Sequence, residues 1–235
     1  MDEDDENDEE IALELRSFGR KRGRKLSPRQ DGLLTGLLPQ LSLDLSKPLT
    51  DPATLLAPPC RELWLEIGFG GGEHLVWQAA HNPQALIIGC EPFVEGVVKV
   101  LGAIETQGLG NVRLRGDDAR PLLRWLPPAS VDRCFILFPD PWPKKRHVKR
   151  RLVSEPTLRM LCRVMKPGAE LRIATDIGDY ARTMMIAQRK TPELAWQARS
   201  PADWRVRPAD WPPTRYEAKA IAAGRKRYYL SFRRA

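Results

Sequence analysis

From residue 63 onward the chain alternates short apolar segments with stretches of helical periodicity, and this alternation constrains its fold more than any other feature. A strand–helix repeat hides both faces of its sheet only when parallel strands are covered by helices, which is the α/β layout. Strand candidates span residues 63–67, 86–89, 112–114, 134–138 and 171–175. Helical patterns lie over 73–80, 94–105, 120–125, 154–164 and 178–188. Residues 227–232 alternate and are β-rich, so they add a final strand. Five prolines and three tryptophans without periodicity between 191 and 217 predict an ordered loop or cap. With 42% hydrophobic residues over 235 positions, the chain can fill one core of ordinary size.

Several classes fall away at once. The longest apolar run, residues 134–138, is far short of the roughly twenty residues that span a bilayer. The N-terminus is acidic where a secretion signal needs a positive start and an apolar stretch, so a cytoplasmic location is expected. Cys60, Cys90, Cys134 and Cys162 are widely spaced and form no CxxC pair, which reads as reduced core thiols without zinc or disulfides. His74 and His81 stand seven apart without further ligands, so surface or packing roles are favoured over metal.

The net charge of +8 conceals an asymmetry. Eight of the first ten residues are acidic, so residues 11–235 hold 38 basic against 22 acidic residues, a net +16. A body this basic is suited to a polyanion, with nucleic acid ahead of a membrane surface. Residues 1–30 read as a tail: the acidic run, a short amphipathic piece over 11–18, then the basic, glycine-containing block 19–25. The basic block either receives the acidic one or serves as an arm for RNA.

In an open α/β sheet, ligands bind beyond the carboxyl ends of the strands. Here those ends carry Glu66 followed by Gly68, Gly70, Gly71 and Gly72, then Glu91, then Asp117 and Asp118, then Asp140, then Asp176. A glycine loop alone is weak evidence, but five successive acidic strand ends are specific. They would repel a pyrophosphate, and the dinucleotide GxGxxG spacing from Gly68 fails at Glu73. S-adenosylmethionine has no phosphate and carries a sulfonium and an ammonium, so the acidic ring favours it. Glu91 is spaced to accept ribose hydroxyls and Asp118 to meet the adenine amino group.

The fourth strand end continues as Phe138-Pro139-Asp140-Pro141-Trp142-Pro143, followed by six basic residues in the eight positions from Lys144 to Arg151. Three prolines present an acid and an aromatic ring with little freedom left to lose. The basic run is an electrostatic footprint for phosphates. Thr214, Arg215, Tyr216 and Glu217, with Lys219 and the group 225–227, offer a second polar contact from the C-terminal side.

Taken together, the motifs Leu65-Glu66-Ile67-Gly68-Phe69-Gly70-Gly71-Gly72, Gly89-Cys90-Glu91-Pro92, Asp118-Ala119, Phe138-Pro139-Asp140-Pro141-Trp142-Pro143-Lys144, Lys149-Arg150-Arg151, Ala174-Thr175-Asp176 and Thr214-Arg215-Tyr216-Glu217-Ala218-Lys219 resemble the bacterial tRNA (guanine-N7)-methyltransferase family. The resemblance runs in order from about residue 18 to the C-terminus. It implies a class I methyltransferase, a Rossmann-like α/β fold with a seven-stranded, mostly parallel sheet flanked by helices, formed by one domain over 31–235. It also implies S-adenosylmethionine as cofactor, S-adenosylhomocysteine as product, no metal, and tRNA as the partner of a monomer or homodimer, with methylation at a variable-loop guanosine.

By the same resemblance, Glu66, Glu91, Asp118 and Asp140 are cofactor contacts with the glycine loop Gly68 and Gly70, and Asp140 is catalytic. Lys144, Asp176, Thr214, Arg215, Tyr216 and Glu217 are substrate contacts, and Arg146, Lys149, Arg150 and Arg151 belong to the RNA-interacting stretch. Asp117 beside Asp118 leaves the adenine contact shared between two acids, Tyr216 replaces a frequent phenylalanine, and residues 1–10 have no counterpart in the family pattern. Two rivals stand beside this reading. One is an exocyclic-amine methyltransferase, disfavoured by Trp142 where such enzymes carry a second proline. The other is an inactive RNA-binding scaffold, disfavoured by the complete acidic set.

Overall fold

The structure, a computed structural model, describes Gly19, Lys21 and residues 23–55 and 57–235. The acidic run and the amphipathic piece expected over residues 2–18 lie outside the described residues. Seven strands form one sheet: Glu62–Ile67 (β1), Ala85–Cys90 (β2), Val112–Arg115 (β3), Val131–Leu137 (β4), Met165–Thr175 (β5), Leu194–Trp196 (β6) and Tyr228–Arg234 (β7). Their order is β3-β2-β1-β4-β5-β7-β6, parallel from β3 to β5, with β7 antiparallel to both of its neighbours. All six residues of β2 and five of the six in β1 are buried, as expected of central parallel strands covered on both faces.

Ahead of the sheet, Pro28–Gly32 (α1), the π-helical Leu33–Leu37 and Leu38–Leu41 (α2) follow one another. The later helices are Glu73–His81 (α3), Val94–Gln107 (α4), Ala119–Trp125 (α5), Glu155–Val164 (α6), Gly178–Arg189 (α7), Ala202–Arg205 (α8) and Arg215–Ala222 (α9). One core joins Leu122, Leu161, Tyr180 and Met184 of α5, α6 and α7 to one face of the sheet. The other joins Leu75, Val97, Leu101, Leu33, Leu41 and Trp211 to the opposite face.

Several boundaries differ from the sequence expectation, each for a local reason. β4 ends at Leu137 because Phe138 turns to φ 52°, a left-handed conformation that stops the strand. β5 begins six residues early, at Met165, because Lys166, Pro167 and Gly168 are taken up at a register shift against Val131 and Arg133. β6 has only three residues, too few for alternation to show. α9 buries only Glu217 and Ala220 of its eight residues, so it leaves no apolar stripe to read.

The expected tail boundary at residue 30 falls inside α1. Ser27 caps that helix with a reciprocal capping box to Gln30, and the Ser-x-x-Gln spacing was the legible signal for it. The residues before α1 are tied to α4: Val94 N–H donates to the Lys21 carbonyl at 3.0 Å, and Arg24 N–H donates to Glu95 Oε1 at 2.6 Å.

Candidate active site

Strand order reverses at β1, whose neighbours β2 and β4 lead away in opposite directions. The crevice beyond the carboxyl ends of β1 and β4 is therefore the binding position that this topology creates. A cavity of about 410 Å³ occupies it, bordered by Gly68 and Gly70 after β1, Glu91 after β2, Asp117 and Asp118 after β3, and Asp140 and Trp142 after β4. Four of the five strand ends thus converge on one space. The fifth does not: Asp176 lies off the cavity, where its Oδ2 accepts from Arg225 Nε at 2.6 Å.

The glycine loop is shaped by contacts as well as by torsions. Gly68, Gly70 and Gly72 all take positive φ, at 75°, 56° and 78°. At Gly70 a Cβ would also stand 2.9 Å from the Tyr216 ring. Behind the loop, Gly96 in the first turn of α4 presses on Gly70, where an added Cβ would lie 2.2 Å from the Gly70 carbonyl oxygen. Sequence reasoning passed over Gly96, because a lone glycine inside a helical pattern carries no signal until its neighbour is known.

Glu91 is buried and held from two sides, its Oε2 accepting from Gly70 N–H at 2.7 Å and its Oε1 from Phe93 N–H at 2.9 Å. Each oxygen keeps a further lone pair, and the residue borders the cavity. Burial raises the Glu91 carboxyl above its ordinary value, against the lowering effect of those two N–H groups. Asp118 caps α5 and is gripped by Arg120 at 2.9 and 2.8 Å, while the more exposed Asp117 faces Lys21 at 3.5 Å. Asp140 is open to solvent through the cavity mouth, yet enough protein surrounds it that desolvation raises its carboxyl too.

Glu66 is placed differently from the other acids. It does not border the large cavity but a small adjoining recess with Gly68, Phe69, His74, Thr214 and Tyr216. Its Oε2 meets His74 Nδ1 at 2.7 Å, and both side chains are buried. Gln78 donates from Nε2 to the Asp210 carbonyl and accepts on Oε1 from Asn82, which fixes its amide orientation. The Gln78 contact at 3.1 Å makes His74 Nε2 an acceptor and assigns the imidazole proton to Nδ1, facing Glu66. His74 therefore has a packing place, between Phe135 and Trp211, and also a partner that sequence spacing did not disclose.

Beyond β4, Phe138 and Trp142 both take positive φ, and Lys145–Arg150 form a 3-10 helix at the cavity rim. Lys149 and Arg150 border the cavity, with the Arg150 guanidinium 5.2 Å over the Trp142 ring. Lys144 and Arg146 are exposed outside it. Arg151 departs from the run. It reaches the cavity wall but is buried and turned into the protein, so the phosphate contact expected for it meets a guanidinium already engaged.

Of the C-terminal set, Tyr216 borders the cavity beside Gly70 with Arg215 over its ring at 4.9 Å. Thr214 and Glu217 hold structure here. Thr214 Oγ1 caps α9 by accepting from Glu217 N–H, and the buried Glu217 carboxylate accepts from Tyr229 Oη at 2.5 Å and pairs with Arg207 at 3.2 Å. From the N-terminal side, Gly19 also borders the cavity.

Cys90, Cys134 and Cys162 are buried and Cys60 is half-buried. Burial pushes the Cys90 thiol to about 12 and Cys162 to about 11, which keeps both as thiols. Among the described residues no cluster of three or more His, Cys, Asp or Glu is arranged to hold a metal, and no helix is long and apolar enough to cross a membrane.

A Rossmann-like sheet with this strand order and a carboxylate-lined cavity at its switch point is the architecture of a class I S-adenosylmethionine-dependent methyltransferase. Solved structures agree on the fold. The 16S rRNA methyltransferase KamB superposes with a TM-score of 0.56 over 80% of this chain and 95% of that one, at 15% identity. TrmN from Thermus thermophilus gives 0.53 over 78% and 47%, at 16% identity. The family model described as "Putative methyltransferase" matches residues 61–230. A tRNA (guanine-N(7)-)-methyltransferase of Hyphomonas neptunium is 49% identical over 88% of this chain and 94% of its own, and one of Rhodospirillum rubrum is 46% identical over 94% and 88%. The chain belongs to the tRNA (guanine-N7)-methyltransferase family.

Proposed function

We propose that this protein transfers the methyl group of S-adenosylmethionine to N7 of a variable-loop guanosine of tRNA, acting in the cytoplasm as a single methyltransferase domain without a metal. The observation that carries the reading is the cavity at the switch point, with carboxylates of three strand ends inside it and Lys149 and Arg150 at its edge. A small cation fits the interior, and a polyanion fits the rim.

The residues present suit the cofactor. Glu91, pinned by two N–H groups, has a free lone pair on each oxygen for the ribose hydroxyls. Asp118 and Asp117 stand where an adenine amino group would be met, Asp117 with the more accessible carboxylate. Glycines at 68 and 70 let backbone approach the methionine part, Gly96 lets α4 pack close behind Gly70, and Glu66 faces the recess beside it. When bound, the cofactor supplies an electrophilic methyl on a sulfonium.

Guanine N7 already presents a lone pair at neutral pH, so no strong general base is needed, and acceleration comes from positioning and electrostatics. Asp140 accepts hydrogen bonds from the guanine N1 and N2 edge and offsets the positive charge that develops on the base. Trp142 and Tyr216 offer aromatic faces at the same cavity. Lys144, Arg146, Lys149 and Arg150 receive phosphates, and Arg215 and Asp176 contribute on the C-terminal flank.

Incubation with labelled S-adenosylmethionine and unmodified tRNA, followed by borohydride reduction and aniline cleavage, tests the reading. Strand scission at the variable loop is expected, and label incorporation without scission would reject N7. Asp140→Ala should lose most methyl transfer while retaining fold and tRNA binding; near wild-type turnover would remove the role given to Asp140.

A further inference from the structure

We infer that Arg151 is a positioning residue for Asp140: a clamp that closes the base of the basic loop and aims the catalytic segment, rather than a phosphate contact. The inference rests on the role proposed for Asp140 and deepens it.

The segment 139–143 has an anchoring problem. Pro139, Pro141 and Pro143 have no N–H, so every second residue is barred from a backbone ladder. Trp142 sits at φ 41°, which a bulky side chain adopts only where its surroundings hold it there. Anchorage must reach this segment through carbonyls and side chains. Arg151 Nε donates to the Pro141 carbonyl at 2.9 Å, directly after Asp140, and spans ten residues of sequence to do so.

The other two nitrogens are committed to α7. Nη1 donates to Thr183 Oγ1 at 3.0 Å and Nη2 to Asp179 Oδ2 at 2.6 Å, while the guanidinium lies 4.8 Å over the Tyr180 ring. Tyr180 is itself fully buried and accepts from Val153 N–H at 3.0 Å on its hydroxyl, so the platform beneath the clamp is rigid. The planar fork of arginine fits this three-way junction, which an ammonium cannot match.

Accessibility decides against the alternative. The Arg151 side chain is only 3% exposed, so meeting a phosphate would mean leaving all three partners. Lys144, Lys145 and Lys149, in contrast, are exposed on the excursion that Arg151 closes. The basic run therefore divides into a phosphate-facing part and a terminal residue that holds the loop.

The test uses Arg151→Lys and Asp179→Asn in the full chain. Asp179 touches neither the cavity nor the basic rim, yet it shares the clamp. Expected for Arg151→Lys is a fall in kcat of about 100-fold, the scale of an ångström's misplacement. KM for tRNA and the salt slope of tRNA binding should stay at wild-type values. Asp179→Asn should lower kcat in the same direction, and the double variant should be no worse than Arg151→Lys alone.

Amide exchange over residues 140–150 should speed up in both variants while the sheet stays protected, a readout that needs no turnover. A raised KM with a flattened salt slope at unchanged kcat would make Arg151 a phosphate contact and overturn the inference, as would unchanged loop exchange. Should the wild-type protein methylate no tRNA, the activity reading fails on that result, and the exchange measurement still decides the clamp.

Discussion

Gly96→Ala is the sharpest probe of how the cofactor site is built. The added methyl would stand 2.2 Å from the Gly70 carbonyl oxygen and 3.2 Å from both Gly70 C and Glu91 Cγ. Ordinary contact begins near 3.4 Å, so α4 or the glycine loop must retreat by about 1.2 Å, and the obstacle is backbone rather than a flexible side-chain tip. A retreat of Gly70 draws its N–H away from Glu91 Oε2, now at 2.7 Å. Alanine in place of glycine gains about 1 kcal/mol of helix propensity. Overpacking costs about 1–3 kcal/mol, which leaves a net loss of roughly 0–2 kcal/mol and a fall in Tm of a few degrees. Cofactor binding needs Glu91 held in place, so returning the displaced loop to that geometry costs about the 1.5–3 kcal/mol of a hydrogen bond to a buried carboxylate, and S-adenosylmethionine should bind about 10- to 150-fold more weakly. Calorimetric titration of the cofactor beside a thermal melt reads both effects. Gly102→Ala is the control on the same helix, since its Cβ would meet only Leu33 Cδ1 at 3.9 Å. It should raise stability by about 0.5–1 kcal/mol without touching affinity. Cofactor affinity of Gly96→Ala within twofold of wild type would refute the reasoning.

His74→Ala strands the buried Glu66 carboxylate and should cost about 1–3 kcal/mol, read as a lower Tm, with part recovered by His74→Asn; an unchanged melting point would count against the Glu66–His74 pair. Combined alanine replacement of Lys144, Lys145 and Lys149 should weaken tRNA binding and reduce its salt slope by about 0.7–0.9 for each phosphate left without its lysine; an unaltered slope would exclude the rim as the RNA surface. The raised carboxyls of Glu91 and Asp140 set a pH dependence. Protonation removes the charge that a cationic cofactor meets, so affinity should hold at neutral pH and fall on acidification before the ordinary carboxylate range is reached. The same shifts act oppositely on the unliganded fold, since the folded state binds these protons more tightly than the unfolded chain. Their contribution favours the fold at low pH and is lost as pH rises through the raised values. Cofactor titrations from pH 8 to pH 5 test the first part, and a flat profile would deny both acids a role.

The order of strands and helices was readable because each core element carries its own period: apolar runs for β1, β2 and β4, and a one-sided stripe such as Leu158, Leu161 and Cys162 on α6. The convergence of Glu91, Asp118 and Asp140 followed from strand ends alone, since a parallel sheet places those ends on one edge whatever its strand order. Where local pattern is absent, as in the three residues of β6 or the polar α9, only pairing with β7 and docking onto Tyr229 and Arg207 create the element.

Sequence by itself determined the class of sheet, the acidic edge, the basic excursion after β4 and the family, because these are properties of residue type at fixed local spacing. Tertiary structure alone decided which of those residues are available. It turned Arg151 inward while leaving Lys149 at the rim, although the two stand two positions apart. It drew Glu66 into a pair with His74 away from the main cavity, and it set Gly96 against Gly70 across 26 residues. The reason is physical: a side chain's partners are chosen by three-dimensional packing and by the need to pair every buried polar group, and neither is encoded in the spacing of residues along a strand or helix.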